Sequence, residues 1–280
     1  LDKQIIHLFI KNAIAEDLGD GDHTSLSTIP AGAQGKAKLL VKEDGILAGV
    51  ALAQEIFAHI DPALKLEIFI KDGTPVKYGD IAFTVEGSTH SILLAERLVL
   101  NCMQRMSGIA SKTNRVAKLL APYATKILDT RKTTPGLRDL EKWAVKIGGG
   151  VNHRIGLYDM ILIKDNHVDY AGGISNAIRS ANEYLQKTGR KLEIEIEVRN
   201  LDELEQVLEN GKVNRIMLDN FSFEDLREAV KRIDHKYITE ASGGILEENI
   251  TEYAACGVDY ISMGALTHSV KSLDMSLKAF

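Results

Sequence analysis

From about residue 126 onward, short aliphatic or β-branched runs alternate with longer stretches in which apolar residues recur at helical spacing. Six runs read as strands: Lys126 to Leu128, Met160 to Ile163, Leu192 to Val198, Arg215 to Leu218, Tyr237 to Thr239 and Tyr260 to Ser262. Between most of them lie helical segments, at Leu137 to Ile147, Ser175 to Gln186, Leu201 to Leu208, Phe223 to Ile233 and Glu247 to Ala255. Connections of that length favour parallel strands joined by helical crossovers. The strands end in D-T-R-K, K-D-N-H, E-I-E-V, L-D-N, E-A-S-G-G and S-M-G, so nearly every carboxyl end offers residues able to do chemistry. A doubly wound sheet would use one switch point and leave the other ends idle. A (β/α) barrel gathers all of them at one mouth. With six clear strands instead of eight, the pattern predicts an α/β fold built as an incomplete (β/α) barrel.

The first hundred residues have a different texture. An amphipathic helix to about Asp17 precedes the turn-rich G-D-G-D-H-T stretch, and strands are expected at Gly35 to Lys42, Leu64 to Lys71 and Ile81 to Val85. A helix near Ala51 to Ala58 interrupts them, and glycines punctuate the turns, which describes an α+β amino-terminal sandwich domain. His90 to about Leu120 is strongly helical and apolar. The expected division is therefore residues 1–108 for the amino-terminal domain, with the tail 270–280 able to join it, and residues 109–269 for the barrel.

Composition narrows the function classes. The 280 residues are 45% hydrophobic and 26% charged, with a net charge of −5, so no overall basic footprint for nucleic acid or an anionic membrane exists. Charges interrupt every apolar stretch before the roughly 18 residues of a membrane span. No secretory leader is recognisable, and Cys102 and Cys256 form no C-x-x-C pair, so free thiols in a reducing, cytoplasmic setting are expected.

Positive charge gathers in D-T-R-K-T-T-P-G-L-R…G-G-G-V-N-H-R…L-I-K. Arg131 and Lys132 follow one strand, His153 and Arg154 follow a triple glycine, and Lys164 follows the next strand. Cations at barrel strand ends face the mouth, and several together point to a multiply charged anion held by guanidinium forks and ammonium point charges. Ser242, Gly243 and Gly244, with Ser262 and Gly264, end the last two strands, where barrels bind phosphate through backbone N–H groups. Neither a Walker loop nor a dinucleotide fingerprint is present. Glu195 and Glu197 share one strand face, either both inward or both outward. Together with Asp219 they offer hard oxygen ligands suited to Mg²⁺ shared with substrate phosphates. Arg97 stands among apolar residues on the long helix and is expected to be buried there with an anionic partner; Arg105, rotated by about 80° from it, is the weaker candidate to flank the same site.

The runs A-E-R-L-V-L-N, S-G-I-A-S-K-T, D-T-R-K-T-T-P-G-L-R, G-G-G-V-N-H-R-I-G-L, L-I-K-D-N-H, L-D-N, E-A-S-G-G-I and G-A-L-T-H-S, in that order, closely resemble the quinolinate phosphoribosyltransferase family. The resemblance implies a mixed amino-terminal domain, an incomplete barrel, and a homodimer in which Arg97 reaches the partner's site. It implies transfer of a phosphoribosyl group from 5-phosphoribosyl 1-pyrophosphate to quinolinate, with Mg²⁺, giving nicotinate mononucleotide, pyrophosphate and carbon dioxide for NAD synthesis. Arg97, Arg131, His153, Arg154 and Lys164 would then bind quinolinate. Thr130, Lys132, Ser242, Gly243, Gly244, Ser262 and Gly264 would serve the phosphoribosyl phosphates. Lys132, Glu195 and Asp219 would be catalytic, with Glu195 and Asp219 holding the metal directly or through water. Two alternatives stay open at this point: a paralogue that uses a monocarboxylate without decarboxylation, and a ligand sensor that kept the anion pocket.

Overall fold

The computed structural model describes residues 3–280. In chain order it contains α1 (Lys3–Leu18), α2 (His23–Thr28), β1 (Gln34–Val41), β2 (Gly45–Ile46), α3 (Val50–Ile60), β3 (Lys65–Ile68), β4 (Pro75–Val76), β5 (Ile81–Ser88) and α4 (Thr89–Leu120). It continues with β6 (Lys126–Leu128), α5 (Arg138–Ile147), β7 (Ile161–Ile163), α6 (Asp165–Ala171), α7 (Ile174–Thr188), β8 (Ile194–Val198), α8 (Leu201–Asn210), β9 (Arg215–Asp219) and α9 (Phe223–Ile233). Last come β10 (Ile238–Ser242), α10 (Ile250–Ala254), β11 (Tyr260–Ser262), α11 (Ala265–His268) and β12 (Met275–Ala279).

Two compact units result: residues up to Asn114 with Thr133–Gly149 and Leu266–Phe280, and Arg115–Lys132 with Gly150–Ala265. In the first, an antiparallel sheet runs β12-β1-β5-β3, so the last strand of the chain completes the first sheet. Alternate residues of β1 (Ala37, Leu39, Val41) and the apolar side of α3 (Leu52, Ala53, Ile56, Phe57) are buried, and Phe57 meets Phe83 of β5 edge to face at 5.9 Å. The segment from Thr133 to Gly149 belongs to this unit. There the buried Glu141 of α5 pairs with Arg105 of α4 at 2.8 Å and accepts the Thr134 N–H at 3.1 Å. Arg105 is therefore committed to an internal ion pair, contrary to the expectation that it flanks a ligand site. Arg97 also departs from expectation, because it is exposed on α4. The buried stripe of that helix runs through Ala95, Val99, Met103 and Met106, and Arg97 lies about half a turn away from Ala95 and from Val99.

The second unit carries a parallel six-stranded sheet in the order β6-β11-β10-β9-β8-β7. Strands β6 and β7, consecutive in sequence, are its two edges, as an incomplete barrel requires. Crossover helices are capped where the sequence supplies polar residues: Asn200 accepts the Glu203 N–H at 2.9 Å and Ser222 the Asp225 N–H at 3.1 Å. Strand β10 continues to Ser242, past the expected end at Thr239, because Glu240 and Ser242 sit in the ladder opposite Met217 and Asp219. Paired residues share a face. Register pairs Leu162 with Glu195, Glu197 with Met217, Met217 with Glu240, Glu240 with Tyr260, and Ser262 with Leu128. One face of the sheet thus carries Lys164, Glu195, Glu197, Asp219, Glu240, Ser242 and Ser262.

Candidate active site

On that face, at the carboxyl ends of the strands, a cavity of about 170 Å³ brings together Thr130, Arg131 and Lys132 after β6 with His153 and Arg154. Lys164 after β7, Ser242 of β10 and Ser262 of β11 complete the expected lining. Leu162, Met217 and Glu240 also line it, and the sequence reading assigned no role to any of them. Their signal was strand parity: each lies two residues before a residue already singled out.

The cations are crowded. Burial and the neighbouring charge of Arg131 both lower the pKa of Arg154, which is 9% exposed. The Nε of Arg131 is buried with no hydrogen-bond acceptor among the described residues. Lys164 is partly compensated, since its Nζ lies 3.1 Å from Glu197. Glu197 is therefore paired with a residue of the mouth. A site with unsatisfied buried guanidinium donors and mutually repelling charges gains stability from an anion.

Beneath the cations lies a buried cluster of ionisable groups. His153 Nδ1 accepts the Arg154 N–H at 2.7 Å, which puts the ring proton on Nε2, 2.9 Å from Glu195 Oε2 and 3.4 Å from Glu240 Oε2. Glu240 in turn meets Arg215 Nη1 at 3.1 Å, and that guanidinium stacks over Tyr260 at 4.8 Å. Burial raises the pKa of Glu195 to about 7, and Glu240 adds to the rise against the pull of His153 and Arg215. Despite its own burial, Glu240 is held low by His153, Ser262 and Arg215. Burial opposes a charge on His153, but the two carboxylates carry it up to about 9, while the Arg154 N–H at Nδ1 opposes a second ring proton. Negative charge is therefore favoured on Glu240 over Glu195.

These three residues place potential ligand atoms within 4.8 Å of one another, the one such cluster found among the described residues. It does not suit Mg²⁺, a hard cation that favours oxygen, because the imidazole contributes a nitrogen that already carries a proton. Glu195 is grouped with His153 and Glu240 and not with Asp219, which is half-buried at the end of β9 and accepts from Asn220 Nδ2 at 2.6 Å. Both carboxylate oxygens of Glu195 are buried without a hydrogen-bond donor among the described residues. Neither Glu195 nor Asp219 lines the cavity.

Of the expected phosphate residues, Gly243, Gly244 and Gly264 lie beside the cavity-lining Ser242 and Ser262 in sequence but are not themselves in the lining. Gly243 has φ +93°, and a Cβ there would collide with the Asn220 side chain. Gly244 follows with φ +61°. Both positions thus adopt a backbone that favours glycine. The triple glycine has a packing explanation in part: a Cβ on Gly148 would meet Ala110 O and Thr113, and Gly149 needs φ +94°.

An incomplete α/β barrel with cationic strand ends over buried carboxylates defines an enzyme that handles multiply charged anions. The quinolinate phosphoribosyl transferase C-terminal domain family matches residues 109–278, and the N-terminal domain family matches residues 22–107. The chloroplastic nicotinate-nucleotide pyrophosphorylase [carboxylating] of Arabidopsis thaliana is 49% identical over 96% of this chain and 81% of its own length. A probable counterpart from Bacillus subtilis is 42% identical over 99% of this chain and 92% of its own. Among solved structures, the nicotinate-nucleotide pyrophosphorylase from Francisella tularensis superposes with a TM-score of 0.92 at 39% identity, covering 100% of this chain and 98% of that one. The chain belongs to the quinolinate phosphoribosyltransferase family, decarboxylating enzymes of NAD biosynthesis.

Proposed function

We propose that the cavity at the strand ends is where quinolinate meets 5-phosphoribosyl 1-pyrophosphate. The observation that carries this reading is the crowding of Arg131 on Arg154, with an unsatisfied Arg131 Nε, at the rim of a cavity that also holds Lys132, His153 and Lys164. Quinolinate carries two carboxylates on adjacent ring carbons. Arg131, Arg154 and Lys164 grip and orient them so that the ring nitrogen faces C1 of the ribose. His153 takes part with its ring held in one orientation by the Arg154 N–H and the two carboxylates beneath. The N–C1 bond forms as the C1–O bond to pyrophosphate breaks, and the bonding pair leaves with the pyrophosphate. The ring nitrogen is then cationic and stabilises the electron pair that the C–CO₂⁻ bond leaves on the adjacent ring carbon when carbon dioxide departs, after which that carbon takes up a proton.

Thr130, Lys132, Ser242, Gly243, Gly244, Ser262 and Gly264 are assigned to the phosphoribosyl phosphates. Buried Glu195, both of whose oxygens lack a hydrogen-bond donor, and half-buried Asp219 are assigned to favour positive charge on the ribose in their ionised forms. Glu195 and Asp219 would hold Mg²⁺ directly or through water, and the ion would neutralise the departing pyrophosphate. Arg97 is exposed and makes no hydrogen bond or ion pair among the described residues, which supports its delivery to a second copy of the chain. Buried free thiols at Cys102 and Cys256 support a reducing compartment, here read as the cytoplasm.

The reading is tested by incubating the protein with quinolinate, 5-phosphoribosyl 1-pyrophosphate and Mg²⁺ and following nicotinate mononucleotide by mass and carbon dioxide release. Turnover of nicotinate in place of quinolinate would overturn it. Mixing an Arg97→Ala chain with a Lys164→Ala chain should restore activity that neither has alone, and its absence would exclude the shared site.

A further inference from the structure

The His153–Arg154 grip lies in a segment without regular secondary structure: residues 152–160 form neither helix nor strand. Two carboxylates hold it. Asp129, fully buried just past β6, accepts the His153 N–H at 2.9 Å through Oδ1 and the Asn152 side-chain amide through Oδ2, while its own N–H donates to Val151 O at 3.2 Å. At the far end, Asp159 accepts the Ile155 N–H at 2.8 Å through Oδ2 and the Gly156 N–H at 2.8 Å through Oδ1. Between these anchors Arg154 Nη1 donates to Met160 O at 3.2 Å.

We propose that Asp129 and Asp159 are positioning residues that fix His153 and Arg154 in register against the two carboxylates of the pyridine substrate. Each anchors its end of the loop by two N–H donors to one carboxylate, and hydrogen bonds to a charged acceptor are the strong, directional kind. A guanidinium recognises a carboxylate bidentately only when its fork is correctly aimed, so a loop displaced by about 1 Å loses the grip without losing the charge. The inference rests on the reading that Arg154 binds quinolinate, and the experiment separates the two.

Steady-state KM for quinolinate, KM for 5-phosphoribosyl 1-pyrophosphate and kcat are measured for Asp159→Ala, Asp159→Asn, Asp129→Asn and, as a control, Arg154→Ala, with melting curves for each. Asp159 is exposed, so Asp159→Ala is expected to fold normally, with quinolinate KM raised by about tenfold or more, the KM of the ribose donor unchanged, and partial rescue in Asp159→Asn, which keeps one acceptor. Asp129→Asn turns an amide N–H₂ toward existing donors and should show the same selective rise. If Arg154→Ala raises quinolinate KM but both aspartate variants leave it unchanged, or raise both KM values equally, the inference fails alone. If Arg154→Ala itself leaves quinolinate KM unchanged, the reading of the site fails with it.

Discussion

Replacing Arg131 by Ala tests whether the cationic mouth is assembled for a ligand or for the fold. Arg131 is half-buried and adds to the burial that depresses Arg154, so in the free protein the two guanidinium groups oppose each other. At an effective dielectric near 20, like charges about 4–8 Å apart repel by about 2–4 kcal/mol, and solvent screening of a half-buried group reduces this to about 1 kcal/mol. Removing Arg131 also removes a buried Nε without an acceptor. Both effects favour the variant, which should melt at the wild-type temperature or roughly 2–4 °C higher, with the difference shrinking in high salt. Against the substrate the sign reverses. Loss of one guanidinium–carboxylate pair, on the order of 2–4 kcal/mol, should lower kcat/KM for quinolinate by about 30- to 1000-fold and abolish most of the melting shift that quinolinate gives the wild type. Scanning fluorimetry with and without quinolinate, in low and high salt, reads both quantities. A melting point more than about 5 °C below wild type, or a kcat/KM within about threefold of it, would refute the argument.

Glu141→Gln should destabilise the chain by about 2–4 kcal/mol in urea melts, because it strips the charge from a buried carboxylate that pairs with Arg105 and accepts the Thr134 N–H. An unchanged midpoint would mean that the pair contributes nothing. Gly243→Ala should weaken binding of the ribose donor and lower stability by at least about 1 kcal/mol, since φ +93° and the Asn220 side chain both exclude a Cβ, and a wild-type donor KM would remove the phosphate role. Burial pushes the Cys102 thiol up to about 12, so at pH 8 iodoacetamide should label it only after denaturation, as peptide mass mapping would show. Rapid labelling of the folded chain would contradict that burial.

The parallel strands were legible because β-branched runs and helix-length spacers leave few other readings, and β6, α9 and β11 begin and end where the pattern placed them. Fold class followed for the same reason, and so did the meeting of Arg131, Lys132, His153, Arg154 and Lys164 at one mouth, since strand ends in a barrel converge whatever the intervening sequence. What stayed hidden depends on partners far apart in the chain. Arg105 reads as a site residue until Glu141 is found 36 positions away in its own unit. Arg97 reads as buried because its neighbours are apolar, yet helical phase, not local composition, decides which side of α4 meets the core. Asp129 and Asp159 are invisible to periodicity because they act on backbone N–H groups of an irregular loop, which no spacing rule encodes. Glu240 was missed because a glutamate followed by small residues resembles a turn, and only register with Met217 and Tyr260 shows that it lies inside the ladder. The groups lining the cavity are therefore written into the sequence as residue types at strand ends, whereas the carboxylates that pair with them and with their loop exist only as geometry. A substitution at Glu240 or Asp129 would accordingly leave Arg131, Lys132, His153, Arg154 and Lys164 in place while removing a carboxylate that His153 meets.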